Sequence, residues 1–339
     1  MTAADPEPTE FLARRIADLP RYRLAILPSP MHEVPRLAAA VDGPDLWFKR
    51  DDLLGFGFGG NKVRGLELLV GDAINGRADT IVTGAGPQSN HVRATAAAAA
   101  VAGLGMIAVY WGTEPEASEG NLRLTRLFGA EVRFTGDAGR ASVDDAIDAV
   151  AVELLRAGRR PFQIPRGGAA AHGVVAHLLA AQELHRQAAE DGTIPQAIVL
   201  AVGSGTTLAG WLLGSLVLGL PWRVVGYTVS RPAVEVRARV SSLAGEAAAS
   251  LDWDIGSTLD ELIEIRDGVI GDGYGIPTPA GQAAIKLVAR REGILLDPTY
   301  TAKAFGGYIA DVAAGRFAGV DRAVFLHTGG EPALFVGAR

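Results

Sequence analysis

The stretch Ala197-Ile198-Val199-Leu200-Ala201-Val202-Gly203-Ser204-Gly205-Thr206-Thr207-Leu208-Ala209-Gly210 sets the fold class of this chain. Its first six residues are apolar without alternation, which reads as a strand buried on both faces in a parallel sheet. A glycine-rich turn follows, and the chain then enters an apolar helix. The turn has the chemistry of an anion site: glycines let the backbone approach closely, and a helix N-terminus offers free N–H groups and a favourable dipole. Ser204, Thr206 and Thr207 add hydroxyl donors. The dinucleotide fingerprint fails, because Leu208 stands where its third glycine belongs. The nucleoside triphosphate loop fails too, because no Gly-Lys-Ser/Thr follows. A single phosphate monoester is left. An ordinary strand-to-helix turn would carry the same glycines, so this stretch needs partners elsewhere.

Working outward, short β-branched runs alternate with longer helical patterns. Strands are predicted over 46–49, 80–83, 106–111, 131–134, 161–164, 197–202, 224–229, 294–296 and 323–327. Helices are predicted over 62–74, 90–102, 119–128, 143–156, 173–190, 207–218, 233–249, 279–290 and 302–314. Apolar strands between helices imply parallel sheets covered on both faces, an α/β architecture. The crossovers divide into two doubly wound parallel-sheet domains: a large one from 1–64 plus 177–339, and a small one over 65–176. In open α/β sheets, ligands bind beyond the carboxyl ends of strands. The segments 84–91, 165–168, 203–207, 297–301 and 328–332 all follow predicted strands, so they can face one cleft.

Composition narrows the function. The 339 residues are 48% hydrophobic and 21% charged, enough for a sizeable core. A net charge of -6 and a pI near 5.6 speak against nucleic acid. No basic run suits an anionic membrane, and no apolar stretch reaches the roughly 18 residues of a span. The absence of cysteine excludes disulfides, thiolate metal sites and a cysteine nucleophile. The acidic start, Met1-Thr2-Ala3-Ala4-Asp5-Pro6-Glu7, lacks an apolar signal core, so a cytoplasmic protein is expected.

Three further segments carry chemistry. In Phe58-Gly59-Gly60-Asn61-Lys62-Val63-Arg64, a lysine follows a glycine turn and opens an amphipathic helix. Desolvated there, Lys62 would have the neutral amine that condenses with an aldehyde. A lone lysine is usually solvated, and it is the company of the other motifs that argues otherwise. Ser89-Asn90-His91 follows the strand at 80–83 and suits a helix N-cap. The same geometry would bind a substrate carboxylate and aim the Ser89 hydroxyl into the cleft. Tyr274 and Tyr300 stand in turn-rich segments, as acid/base groups would, whereas Tyr227 reads as core. His32, His172, His185 and His327 lack metal-ligand spacing and read as structural. A lysine that condenses with an aldehyde, together with a phosphate-type turn, fits pyridoxal phosphate (PLP). No metal is expected.

In order and content, these segments resemble the fold-type II PLP enzymes, a tryptophan-synthase-β-like fold. The resemblance is to the branch of 1-aminocyclopropane-1-carboxylate (ACC) deaminase and D-cysteine desulfhydrase. It runs from Phe48-Lys49-Arg50-Asp51-Asp52 through Gly59-Gly60-Asn61-Lys62 and Gln88-Ser89-Asn90-His91 to His327-Thr328-Gly329-Gly330. It implies a Schiff base on Lys62, Asn90 on the cofactor ring oxygen, and the phosphate on Gly203, Ser204, Gly205 and Thr207, with Thr206 alongside. It implies Ser89, Asn90 and His91 at the substrate, with Tyr274 and Tyr300 beside it, and a homodimer. Three positions depart from the deaminase pattern: Gly65 replaces a second lysine, Pro87 an aliphatic residue, and Thr301 a glutamate. The desulfhydrase-like members have threonine at that last place. A neutral hydroxyl at the pyridine nitrogen, from Thr328 or Thr301, makes a weaker electron sink than a carboxylate. That favours β-elimination from a small amino acid, such as D-cysteine or cysteate, to a keto acid and ammonia. The alternatives are ACC ring opening, a PLP enzyme of specialised metabolism, and a non-catalytic PLP-binding protein.

Overall fold

The computed structural model describes residues 8–192, 194–256 and 258–337. Residues 1–7, which carry the signal-peptide expectation, lie outside the described residues. Ten strands are described: β1 (Met31–Glu33), β2 (Asp45–Arg50), β3 (Thr80–Ala85), β4 (Gly105–Tyr110), β5 (Glu131–Phe134), β6 (Pro161–Gln163), β7 (Ala197–Val202), β8 (Arg223–Thr228), β9 (Glu264–Arg266) and β10 (Arg322–His327). The helices are α1 (Pro8–Ala17), α2 (Pro35–Val41), α3 (Lys62–Asn75), α4 (Asn90–Ala102), α5 (Gly120–Leu127), α6 (Ser142–Arg156), α7 (Ala171–Glu190), α8 (Thr206–Val217), α9 (Ala233–Ser250), α10 (Thr258–Leu262), α11 (Pro279–Glu292) and α12 (Thr301–Ala313).

Two sheets result, as the alternation of strands and helices predicts. The larger runs β1-β2-β10-β7-β8-β9 and is parallel except for the β1–β2 pair. The smaller runs β5-β4-β3-β6 and is parallel throughout. Successive strand residues point to opposite faces, and the cores divide accordingly. Ile198, Leu200 and Val202 pack on one face of the larger sheet with residues of α7, α8 and α9. Ala197, Val199 and Ala201 pack on the other with residues of α2, α11 and α12. In the smaller sheet, Ile81 and Ala108 face α3 and α4, while Val82 and Ile107 face α6. Both sheets are therefore the middle layer of an α/β/α sandwich.

One helix pairing positions the site. α8 is buried at every residue but Leu216, so it is a core helix, apolar almost all round. Gly210 and Gly214, four apart, share the side that meets α7. A Cβ on Gly210 would overlap His177, and one on Gly214 would come within 2.8 Å of Ala181. Glycine at both positions lets the two helices approach closely and brings His177 against the start of α8.

The 294–296 segment is not a strand. Leu296 is buried but its backbone joins neither sheet. β10 is already flanked by β2 and β7, so that segment cannot pair with it. The edge strands β1 and β9, and helices α1, α2 and α10, escape the apolar pattern because they are short or partly exposed. Among the described residues no helix is long and apolar enough to cross a membrane.

Candidate active site

A cleft of about 900 Å³, mouth included, opens beyond the carboxyl ends of β3 and β7. It gathers Lys62, Ser89, Asn90, His91, Gly203, Ser204, Gly205, Thr207, Tyr274, Tyr300 and Thr328 from segments scattered over the whole chain. Of the residues expected at the site, Thr206 and Thr301 do not line it. Thr206 lines a small chamber behind Lys62 instead, with Gly65, His91, Gly173 and His177.

Lys62 is the first residue of α3, and the turn before it is held from two sides. Gly59 has φ +66, and a Cβ there would overlap the carbonyl oxygen of Asp52. The buried Arg93 donates to the carbonyls of Gly57 and Gly59. Asn61 N donates to Thr328 O (3.2 Å), and Asn61 Nδ2 donates to Thr207 Oγ1 (2.8 Å). The starts of α3 and α8 are thus joined directly. Lys62 Nζ donates to Gly167 O (3.1 Å) and forms no ion pair among the described residues. Burial without a counter-charge pushes its pKa down from 10.5 to about 8.

Ser89 caps α4, its Oγ accepting from Val92 N (3.2 Å) while the residue also lines the cleft. The capping and cleft readings of this serine are therefore compatible. Asn90 Oδ1 accepts from Asn121 Nδ2 (2.8 Å), which fixes the amide. His91 Nε2 lies 3.1 Å from Thr83 Oγ1, whose single proton goes to Ile164 O (2.7 Å). His91 must therefore donate from Nε2 and keep a lone pair on Nδ1. Burial, then the Lys62 charge, holds its pKa down to about 3, so the ring is neutral.

The Gly203–Thr207 turn has the form its sequence predicts. Gly205 has φ +94 and is the N-cap of α8, with no side-chain cap on the first-turn N–H groups. Arg231 Nη1 donates to Gly203 O (3.1 Å) and Arg239 Nε to Ser204 O (2.7 Å). In trans peptides the N–H points opposite to the C=O. The N–H groups of Ser204 and Gly205 therefore face away from those arginines. The hydroxyls of Tyr274 and Tyr300 are hydrogen-bonded to each other at 2.5 Å, and burial holds both protonated.

Three findings were not foreseen. Thr301, one of two candidates for the hydroxyl at the cofactor's ring nitrogen, does not line the cleft. Its Oγ1 donates to Asp297 Oδ1 (2.7 Å) and accepts from Asp297 N (2.8 Å), so it is engaged in holding its own turn. Thr328 does line the cleft. His177, on α7, lies 3.3 Å from Thr207 Oγ1, and its Nδ1 is buried without a partner among the described residues. Arg140, Arg166, Arg231 and Arg239 line the cleft from separate segments with no common spacing, so no sequence motif marks them.

Comparison with known proteins decides the family. The model of the family described as pyridoxal-phosphate dependent enzyme matches residues 22–329. The chain belongs to that family. It is 39% identical over 321 residues to a D-cysteine desulfhydrase of Salmonella choleraesuis strain SC-B67, covering 93% of this chain and 95% of that one. A D-cysteine desulfhydrase of Klebsiella pneumoniae is 38% identical over 329 residues, covering 95% and 97%. Among solved structures, an ACC deaminase homologue superposes with a TM-score of 0.88 at 34% identity, covering 96% of both chains. A threonine deaminase from Solanum lycopersicum, at 17% identity and a TM-score of 0.69, shares the fold.

The enzyme is PLP-dependent, and the cleft fits the cofactor. It offers a lysine with a lowered pKa and no counter-charge, and an uncapped helix N-terminus. At Gly203, a Cβ would stand 3.0 Å from Tyr300 Cε1, so glycine is what lets that backbone and that ring lie so close.

Proposed function

We propose that this enzyme eliminates the β-substituent of a small amino acid, with D-cysteine or a related β-substituted alanine as substrate. The products are an α-keto acid, ammonia and the β-group. The observation that carries this reading is the placement of Lys62, Ser89 and the Tyr274–Tyr300 pair around one cleft, in a chain 39% identical to a D-cysteine desulfhydrase.

In this reading Lys62 would hold PLP through its amine, the uncapped start of α8 with Ser204 and Thr207 would take the phosphate, and Asn90 and Thr328 would meet the ring. When bound, the cofactor supplies an electron sink for the electrons of a broken Cα–H bond. Ser89 and the first-turn N–H groups of α4 hold the substrate carboxylate. Lys62 Nζ, once free, takes the Cα proton, a role suited to an amine with a pKa of about 8. The neutral His91 keeps an acceptor lone pair on Nδ1, which lies against Gly168. Tyr300, kept protonated by burial and linked to Tyr274, gives a proton to the departing β-group.

A keto-acid assay with D-cysteine, β-chloro-D-alanine and ACC tests the reading. Turnover of the first two with little or none of ACC is expected, because among the described residues no carboxylate lines the cleft to hold the ring nitrogen protonated. Brisk ACC turnover with none of the others would overturn it in favour of ring opening. On the family resemblance we also propose a cytoplasmic homodimer. Ile26, Leu53 and Phe58 are exposed apolar residues near the turn before Lys62, as an interface there would require. Size-exclusion chromatography with light scattering checks the assembly.

A further inference from the structure

The cleft is lined by several cations. Its lining includes Lys62, Arg140, Arg166, Arg231 and Arg239, and no carboxylate side chain among the described residues. Three of the arginines have work that is visible in the structure. Arg231 and Arg239 grip the carbonyls of Gly203 and Ser204, beside the phosphate-type turn. Arg166 donates to Arg140 O (3.1 Å) and pairs with Asp144 (2.8 Å). Arg140 is different. Its guanidinium makes no hydrogen bond or ion pair among the described residues. It lies 4.5 Å over the ring of Tyr274, whose hydroxyl meets that of Tyr300. A half-buried guanidinium with its donors unused, beside the groups that would face the leaving group, has the chemistry of an anion receptor. The crowding is felt electrostatically as well. Burial, then Arg239, Arg166 and Arg140, lowers the pKa of Arg231.

We propose that Arg140 selects substrates whose β-substituent is itself an anion, a 3-sulfonate or comparable oxyanion, over those with a neutral one. This rests on the elimination reading and specifies its substrate class. For 3-sulfoalanine the step balances without an oxidant or reductant. The Cα–H bond breaks and its proton passes to Lys62 Nζ. The Cβ–S bond breaks with its electron pair going to sulfur, and sulfite leaves. Water hydrolyses the remaining 2-aminoacrylate to pyruvate and ammonia. The Arg140 fork can hold two oxygens of the leaving group throughout.

The test compares both enantiomers of 3-sulfoalanine with both enantiomers of β-chloroalanine on the PLP-loaded enzyme, by pyruvate release. The expected kcat/KM for 3-sulfoalanine exceeds that for β-chloroalanine, although chloride is the better leaving group. In Arg140→Gln that ratio falls about 10- to 100-fold, the worth of a charged hydrogen bond. Arg140→Lys recovers part of it, and the change lies mainly in KM. Because the ratio is taken within one protein, a general loss of folding or cofactor cancels. The visible absorbance of bound PLP checks that the variant is loaded. A ratio at or below one with β-chloroalanine turned over, or a ratio that Arg140→Gln leaves unmoved, overturns the proposal and leaves the elimination reading standing. Release of pyruvate from neither substrate overturns both.

Discussion

Lys62 and its neighbours show how single residues set the chemistry. A pKa of about 8 in place of 10.5 means that Lys62 is partly neutral near physiological pH. The neutral fraction grows roughly tenfold per pH unit below the pKa and levels off above it. PLP capture by the apoenzyme, followed by visible absorbance, is therefore expected to rise with pH to a midpoint near 8. A midpoint near the ordinary lysine value would show a solvated amine instead. Lys62→Ala is expected to lose the visible band of lysine-bound PLP and to lower turnover by at least ~10²-fold, the low end for a positioned acid–base group. Tyr300→Phe is expected to lower kcat by about 10²–10⁴-fold while leaving that band intact. An unchanged kcat would remove Tyr300 from proton transfer. At this scale the sequence is legible where a residue sits beside a glycine turn or a helix start, as Lys62, Ser89 and Gly203 do. It is silent on Arg140, Arg231 and Arg239, which reach the cleft from separate segments, and on His177, which stands inside a helix among apolar neighbours.

At the scale of elements, the legible parts are those whose period is decided by burial. β7 and β3 are buried along their whole length; β7 reads as a continuous apolar run, and β3 as a β-branched one, Thr80-Ile81-Val82-Thr83. β1 and β9 are three-residue edges with no fully buried residue, so little in their sequence tells them from loop. The 294–296 run misleads for the opposite reason: burying an apolar side chain does not require pairing its backbone. The α7–α8 contact makes a prediction of its own. Alanine is a better helix former than glycine by about 1 kcal/mol, so Gly210→Ala would stabilise an isolated α8. Here the added Cβ overlaps His177 and the Val174 carbonyl. Net destabilisation of roughly 1–3 kcal/mol is expected, as for an overpacked core. PLP affinity should weaken as well, because the shift is passed through His177 to Thr207. Chemical denaturation and PLP titration of the variant measure the two effects, and a variant as stable as the parent would refute the packing argument.

At the scale of the whole molecule, a buried charge cluster fastens the cofactor lysine's helix to the larger sheet and to α7. Arg64, two residues after Lys62, pairs with Asp51 (2.8 Å) and with Glu183 of α7 (2.9 Å). Lys49 of β2 pairs with the same Glu183 oxygen (2.6 Å). Two cations thus meet two carboxylates, and Ser29 bonds to both carboxylates. Such a cluster need not add net stability over an apolar core, but breaking it strands a buried charge. Glu183→Gln leaves Lys49 and Arg64 facing Asp51 alone, and a loss of about 3–5 kcal/mol is expected. The pH dependence has a definite sign. Burial works to raise the pKa of Asp51 and of Glu183. Arg64 and Lys49, with Ser29 on Asp51, together more than offset it, and both carboxylates lie below their ordinary values. Groups lowered on folding stabilise the protein above their unfolded pKa, about 4, and that stability is lost as the pH falls through the folded values. Thermal melts of the parent should therefore be flat toward pH 5 and drop below about pH 4. In Glu183→Gln the melting temperature should be lower throughout and the acid drop shallower, since one of the two titrating carboxylates is gone. Because Arg64 and Lys62 share the first turn of α3, the same variant should also loosen the lysine's placement. A parallel fall in PLP affinity would show that the cluster supports the site, whereas lost stability with unchanged affinity would confine it to the fold.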